Sequence, residues 1–433
     1  MSNLSKHIDN IEGLSHEALL NEGHKKTKLG WIPKEWKVKK LGNLFSFRNG
    51  VNARKEDYGQ GIKFVNVMDV FENTFISHDN IIGSVQLSEK QIKKNLVKKG
   101  DVLFNRTSET QDEIGMSALY DDDKEAVFGG FVIRGRPKNS KLNHQYNGYS
   151  FQSELIRKQI ISKGQGAVRV NIGQTDLEKV LFPIPPLPEQ KKIAEILSIW
   201  NQGIETLEQL IAKKEELKRG LMQGLLSSKK RFPGFEGEWE EVKLGKLITT
   251  FSGGTPSRGK PEYYNGSIPW IKSGELNTKR IFSTEEFISK DGLKNSSAKL
   301  VKENTLLLAI YGATAGVISV NMMEEATINQ AVLALIPKSN KIDQGFLEQW
   351  FSFNKDRIVH TFTQGGQPNL SAKIVKSLKI KCPDLEEQKK ISKLLFSFSD
   401  EIEVMKKTTN ACKNEKKGLM QLLLTGKTRV NAD

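Results

Sequence analysis

The longest periodic signal in the chain begins at Ile193. Steps of four and three residues from it reach Leu197, Trp200, Ile204, Leu207 and Ile211. After Lys214 and Lys218 the stripe resumes at Leu221 and Leu225. A second stripe runs through Ile391, Leu395, Phe398, Ile402, Met405, Thr409, Cys412, Lys416, Leu419 and Leu423. Apolar residues at this spacing predict amphipathic helices, and two such stripes in one chain can pack on each other. Pro183, Pro185, Pro186 and Pro188 bar helix up to about residue 188, and no proline follows until Pro233. About 37 residues at ~1.5 Å each make a rod of roughly 55 Å, the length of about 16 base pairs at ~3.4 Å per pair. That length and the lysine interruptions favour a separate helical spacer over burial in a globular core.

Outside the stripes the pattern shortens to strand-like runs. Lys63–Val67, Asp101–Phe104 and Val127–Arg134 read as strands in the first half, and Thr305–Ile310, Gly316–Val320 and Ala331–Ile336 in the second. Helical segments at Gln152–Ile161 and Gly345–Val359 lie between strands and stripe. Gly253-Gly254-Thr255-Pro256 and Gly365-Gly366-Gln367-Pro368 read as loops. The fold class expected from this pattern is α+β: two mixed α/β domains and two long helices. The boundaries expected are 1–188 for the first domain (with an N-terminal extension over about 1–30), 189–230 for the first helix, 231–385 for the second domain, and 386–433 for the second helix and tail.

The chain repeats itself. Glu189-Gln190-Lys191-Lys192-Ile193 recurs as Glu387-Gln388-Lys389-Lys390-Ile391, 198 positions on, and Gly220-Leu221-Met222-Gln223 recurs as Gly418-Leu419-Met420-Gln421 at the same offset. Pro185 and Pro383, Leu187 and Leu385, and Asn171 and Asn369 also match at 198. Upstream, Trp36, Leu41-Gly42 and Leu44 match Trp239, Leu244-Gly245 and Leu247 at an offset of 203. Between these anchors the halves diverge, as expected of one scaffold presenting two recognition surfaces.

Composition narrows the function. Sixty-six Lys+Arg against 51 Asp+Glu leave a formal charge of +15, which points to a polyanionic partner, most often nucleic acid. Two cysteines, Cys382 and Cys412, form no disulfide framework, so a reducing compartment is expected, and Cys412 on the stripe reads as a small buried hydrophobe. The first 30 residues carry charges throughout and lack an apolar core, so no secretory signal is expected. The uncharged stretch Thr305–Met323 is too polar and glycine-rich for a membrane span, and reads as buried strands.

Catalytic motifs are missing. No Asn/Asp-Pro-Pro-Tyr/Phe tetrapeptide and no Phe-x-Gly-x-Gly loop is present, as an amino-methyltransferase would need. Gly426-Lys427-Thr428 fails as a phosphate-binding loop because Gln421 stands where the earlier glycine belongs. The acids of Pro383-Asp384 and Glu387-Gln388-Lys389 sit too close together for a nuclease site, and the six histidines form no metal-ligand spacing. The pattern is that of a binding chain.

Together these residues resemble the specificity subunit of type I restriction-modification systems, the HsdS family. The resemblance rests on Pro185-Pro186-Leu187-Pro188-Glu189-Gln190-Lys191-Lys192-Ile193 with its second copy, and on the Gly-Leu-Met-Gln segments. Phe232-Pro233-Gly234-Phe235, Glu238-Trp239, Gly253-Gly254-Thr255-Pro256-Ser257, Tyr311-Gly312-Ala313-Thr314 and Asn329-Gln330-Ala331-Val332 add to it. It implies a non-catalytic subunit with two target recognition domains in pseudo-two-fold arrangement, separated by the two long helices as an antiparallel coiled coil, each domain reading half of a bipartite duplex DNA sequence. It also implies two modification (methyltransferase) subunits, which bring S-adenosylmethionine, and two restriction (motor-nuclease) subunits, which use ATP with Mg. No cofactor is expected in this chain, no membrane partner, and a cytoplasmic location. A fused DNA-modifying enzyme with an unrecognised catalytic centre is the alternative, and a helical-rod interaction protein without sequence preference is a third reading.

On that resemblance, the DNA-contact candidates in the first domain are Arg54, Arg106, Ser108, Arg134 and Arg169. Arg106 follows a predicted strand end, where a guanidinium could reach guanine or phosphate or pair with Glu109 or Asp112. Arg169 lies in the polar loop Gly164–Asn171. In the second domain the candidates are Thr255, Ser257, Arg258, Lys272, Tyr311, Thr314, Gln330, Gln364 and Gln367. Glutamines can pair bidentately with adenine, whereas Tyr311 could equally pack in the core. Partner docking is expected of Glu189, Gln190, Lys191, Lys192, Glu387, Gln388, Lys389 and Lys390, because both copies keep them while the inserts diverge.

Overall fold

A computed structural model describes residues 23–431 except 167, 365 and 366. It divides into two compact units, one formed by residues up to Thr206 together with those from Thr408 onward, the other by Leu207–Lys407. The long helices are Leu187–Leu225 and Leu385–Thr425, and each contributes one portion to each unit. Both begin immediately after the Pro185-Pro186 or Pro383-Asp384 step. Pro188 is tolerated in the first turn, where its missing N–H has no intrahelical acceptor.

The first unit is built on a five-stranded sheet ordered Phe45–Asn49, Val132–Pro137, Val102–Asn105, Ser117–Tyr120, Phe75–Ile76, with the last pair parallel. A four-stranded sheet ordered Ser84–Val85, Tyr58–Val65, Ala126–Phe128, Leu96–Val97 packs on one face. Helices pack on the other. The strand Val102–Asn105 is buried on both faces, which explains its unbroken apolar run. Val102 and Phe104 join Phe151, Ile156 and the helix residues Ile193, Leu197, Met420 and Leu423, while Leu103 joins Val65, Tyr120 and Phe128.

The second unit repeats this plan strand for strand. Its larger sheet is ordered Ile248–Ser252, Val332–Pro337, Leu306–Ala309, Ile318–Asn321, Arg280–Ile281. Its smaller sheet is ordered Phe287–Ile288, Ile268–Ile271, Glu325–Ile328, Lys299–Lys302. The parallel pairs fall at the same places in both units. Leu306 and Leu308 face the helix side, with Phe346, Trp350, Ile391 and Leu395, and Leu307 and Ala309 face the smaller sheet. The uncharged stretch Thr305–Met323 therefore holds two strands of this core, and among the described residues no helix is long and apolar enough to cross a membrane.

Two local expectations change. Val127–Arg134 is two strands, Ala126–Phe128 and Val132–Pro137, because a turn at Gly129-Gly130-Phe131 passes the chain from the smaller sheet to the larger. The segment around Gly365-Gly366 is flanked by a short antiparallel ladder, Thr363–Gln364 with Gln367–Pro368, and the two glycines lie outside the described residues. The expected N-terminal extension also lies outside them up to residue 22, while His24–Thr27 and Gly30–Pro33 form a hairpin.

Within each unit the two helix portions run antiparallel. In the second, Lys218 Nζ donates to Ser399 Oγ at 2.7 Å, and Lys214 and Lys406 pair with Glu401 and Glu215. The stripe residues are buried or half-buried along both helices, including Ile193, Leu197, Ile204, Ile211, Ile391, Leu395 and Ile402. Cys412 is half-buried on the same stripe.

Candidate nucleic-acid interface

In both units four loops converge at the same end of the larger sheet, and backbone hydrogen bonds show the equivalence. The Arg106 N–H donates to Phe131 O at 2.9 Å, and Ile172 N–H to Arg106 O at 3.0 Å. In the second unit Ile310 N–H donates to Ala331 O and Leu370 N–H to Ile310 O, both at 2.9 Å. The loop after the first strand joins the group where Gly50 and Gly253 cross a neighbouring strand end. A Cβ at Gly50 would sit 2.2 Å from Gly129 O, and one at Gly253 would sit 1.7 Å from Ile328 O. Only glycine permits that crossing.

On this shared frame the side chains differ. The first unit presents Arg54, exposed on its loop with its backbone N–H donating to Asp57, and Arg169, exposed and 3.8 Å from Glu109. Neither acid weighed as an alternative partner for Arg106 takes that role: Glu109 faces Arg169, and Asp112 gives its carbonyl to Arg157. Arg106 itself is half-buried, its Nη1 donating to Gly130 O at 3.3 Å. Thr107 Oγ1 donates to Asn171 Oδ1 at 2.7 Å, and Phe131 stands 60% exposed at the tip of the adjacent turn.

The second unit presents Thr255 hydrogen-bonded to Gln330, exposed Ser257, and Tyr311, which is 40% exposed and bridges to Asn369 rather than packing in the core. Thr314 donates to Ser273 O at 2.9 Å. Lys272 lies 2.8 Å from Glu286 and 3.4 Å from Glu285, and those carboxylates raise its pKa. Arg258 pairs with Glu286 at 2.7 Å, a contact that raises the arginine's pKa and lowers the glutamate's. The backbones of Gln364 and Gln367 pair with each other across the short ladder beside Tyr311 and Asn369.

Six expected site residues are corrected. Arg134 is 7% exposed: its Nη1 donates to Leu96 O at 2.7 Å and its guanidinium lies over Phe128 and near Asp101, so it braces the two sheets. Ser108 is buried and donates to Glu113 at 2.8 Å. Glu189, Gln190, Glu387 and Gln388 are all at most 3% exposed and cannot meet a partner. Glu189 accepts from Trp36 Nε1 and from Arg429 Nε and Nη2; Glu387 accepts from Trp239 Nε1 and from Arg231 Nε and Nη2. Gln190 and Gln388 each receive a backbone N–H and donate to two carbonyls in the same pattern. These residues recur because the internal joint recurs. Lys191, Lys192, Lys389 and Lys390 are exposed, with Lys390 lying over the Phe235 ring.

Sequence reasoning missed Phe131, Thr107, Asn171 and Asn369 as members of the interface. The matching Asn171 and Asn369 carried a signal, since they mark the same loop position in both halves.

A sheet-rich domain with a helix arm, present twice and differing in its loops, defines a duplicated two-unit class of fold. The family model for the type I restriction modification DNA specificity domain matches residues 33–219 and again 236–414, and the chain belongs to that family. It is 26% identical over 422 residues to the type I restriction enzyme MjaVIII specificity subunit of Methanocaldococcus jannaschii, covering 92% of this chain and 94% of that one. Two solved structures share the fold. One is the type I restriction-modification S subunit from M. genitalium (18% identity, TM-score 0.56, covering 90% of this chain and 96% of that one). The other is a chain from a structure titled for complex assembly and conformational transition of the type I R-M system (16% identity, TM-score 0.60, covering 92% and 99%).

Proposed function

We propose that this chain is the subunit that reads a bipartite DNA target, each unit contacting one short half through its four convergent loops. One observation carries the reading: the two units hold the same loops in the same backbone register but fill them with different side chains. A duplicated frame with exchanged contact residues is suited to reading two different short sequences, with phosphate contacts supplying affinity and base edges supplying specificity.

In this reading the long helices set the number of unread base pairs between the halves. Modification subunits dock on the chain and bring S-adenosylmethionine, and restriction subunits with ATP and Mg complete the endonuclease. The exposed lysines of the two Glu-Gln-Lys-Lys-Ile segments remain candidate docking contacts. The test is co-expression with the cognate modification subunit, followed by methylation-aware sequencing of host DNA. A methylated motif in two short parts with a fixed gap, lost when this chain is omitted, is the expected result. Methylation that persists without the chain would overturn it.

A further inference from the structure

Arg258 is held in a way its neighbours are not. Its guanidinium carbon lies 4.2 Å from the centre of the Tyr264 ring and 5.1 Å from that of Trp270, and Nη1 sits 2.7 Å from Glu286. Yet its side chain is 56% exposed. Among the described residues Glu286 is its one acidic partner.

The bracing is not required to hold the loop. Tyr264 Oη already donates to Pro256 O at 2.6 Å, Trp270 Nε1 to Gly254 O at 3.0 Å, and Gly254 N–H to Ile328 O at 3.1 Å. These bonds fix residues 254–256 without Arg258. Lys272 shares the Glu286 carboxylate at 2.8 Å, so the acid that positions Arg258 is itself held from a second side.

The first unit lacks the device. Trp270 N–H donates to Glu286 O as Phe64 N–H donates to Gly83 O, both at 2.9 Å, so the buttressing acid corresponds to a glycine. The aromatic pair persists as Tyr58 and Phe64, 5.4 Å apart. The platform is therefore common to both units, and the fixed arginine belongs to the second alone.

An arginine edge that is planar, stacked and oriented before binding loses little side-chain freedom on meeting a ligand. Two parallel N–H donors match the O6 and N7 acceptors of guanine in the major groove. Resting on the bipartite reading above, we infer that Arg258 reads a guanine in the half-site contacted by the second unit, with Glu286 and the two rings acting as positioning groups.

The experiment uses the chain co-expressed with its modification subunit. Host-DNA methylation is sequenced for wild type, Arg258→Ala and Arg258→Lys, and the purified complexes are titrated with duplexes carrying each single base-pair change in the motif. The inference expects one G·C position in one half-site to relax in both variants. Wild type should prefer that pair by about tenfold to a hundredfold, and the variants by much less, with every other position unchanged. Lysine keeps the charge and loses the fork, so it separates base reading from phosphate attraction. Even weakening across an unchanged motif, relaxation at an A·T position, or loss of all methylation in both variants would overturn the inference. A wild-type complex that yields no chain-dependent motif would instead overturn the bipartite reading on which it rests.

Discussion

The indole N–H of Trp36 donates to Oε2 of Glu189 at 3.0 Å, joining positions 153 residues apart. Trp239 makes the same bond to Glu387 at 3.3 Å, and an arginine forks onto each carboxylate, Arg429 onto the first and Arg231 onto the second. The two arginines are themselves 198 positions apart, like the two glutamates. Each joint pins the start of a long helix to its own domain, and the bound carboxylate raises the pKa of each arginine.

Truncating that joint should therefore cost fold rather than assembly. Glu189→Ala leaves the buried Trp36 N–H without its acceptor, and should destabilise the first unit by about 1–3 kcal/mol. Lys192→Ala removes only an exposed contact with Glu195 and should stay within about 0.5 kcal/mol. Urea unfolding of the two variants checks this, and equal effects would contradict the buried-joint account.

Arg134 and Arg169 should part company in a salt titration. Arg169→Ala is expected to leave stability nearly unchanged, weaken DNA binding across sequences, and reduce the slope of log K against log salt by about 1. Arg134→Ala should keep the slope and lose about 1–3 kcal/mol of stability, because the bond to Leu96 O goes with it. Binding by the assembled complex, measured at several salt concentrations, distinguishes them.

Lys416 lies half-buried on the second stripe over the Tyr149 ring, and burial lowers its pKa. The sign follows from linkage. A lysine whose folded pKa is below its unfolded value imposes a cost that is fully present below the folded pKa and fades as pH rises toward the ordinary value of 10.5. Lys416→Met should then stabilise the first unit at pH 7 by on the order of 1 kcal/mol. The advantage should shrink as pH approaches 10. Unfolding curves at pH 7 and 10 test both statements, and a variant less stable at both would contradict them.

Burial pushes the Cys382 thiol up to about 12, leaving almost no thiolate at pH 8. Iodoacetamide at that pH should modify half-buried Cys412 well before Cys382 in the folded chain, and both at similar rates in urea. Peptide mapping by mass spectrometry reads the order, and the opposite order would contradict the packing described.

Much of this architecture was legible in the sequence because periodicity and repetition are local signals. The stripes through Ile193 and Ile391 located both helices, and the offsets of 198 and 203 located the duplicated frame. Burial was less legible where a polar residue meets a distant partner. Glu189 and Gln190 look like surface residues beside Lys191, and nothing local reveals that Trp36, Arg429 and the carbonyls of Lys141 and Pro185 wait for them. Arg134 misled in the same way, its acceptor at Leu96 lying on another strand. Arg258, Ser257 and Thr255 were legible as loop residues, but the stacking of Arg258 on Tyr264 and Trp270 depends on strand register that sequence spacing does not encode.

The division of the chain into units also orders its synthesis. The second unit, Leu207–Lys407, is one continuous stretch and has all its core residues once that stretch leaves the ribosome. The first is translated earlier yet finishes later, since Met420, Leu423 and Leu424 complete the core that Ile193 and Leu197 begin. Until the final turns of the second helix emerge, that nascent surface stays uncovered. That uncovered surface is the one a chaperone would meet on the nascent chain.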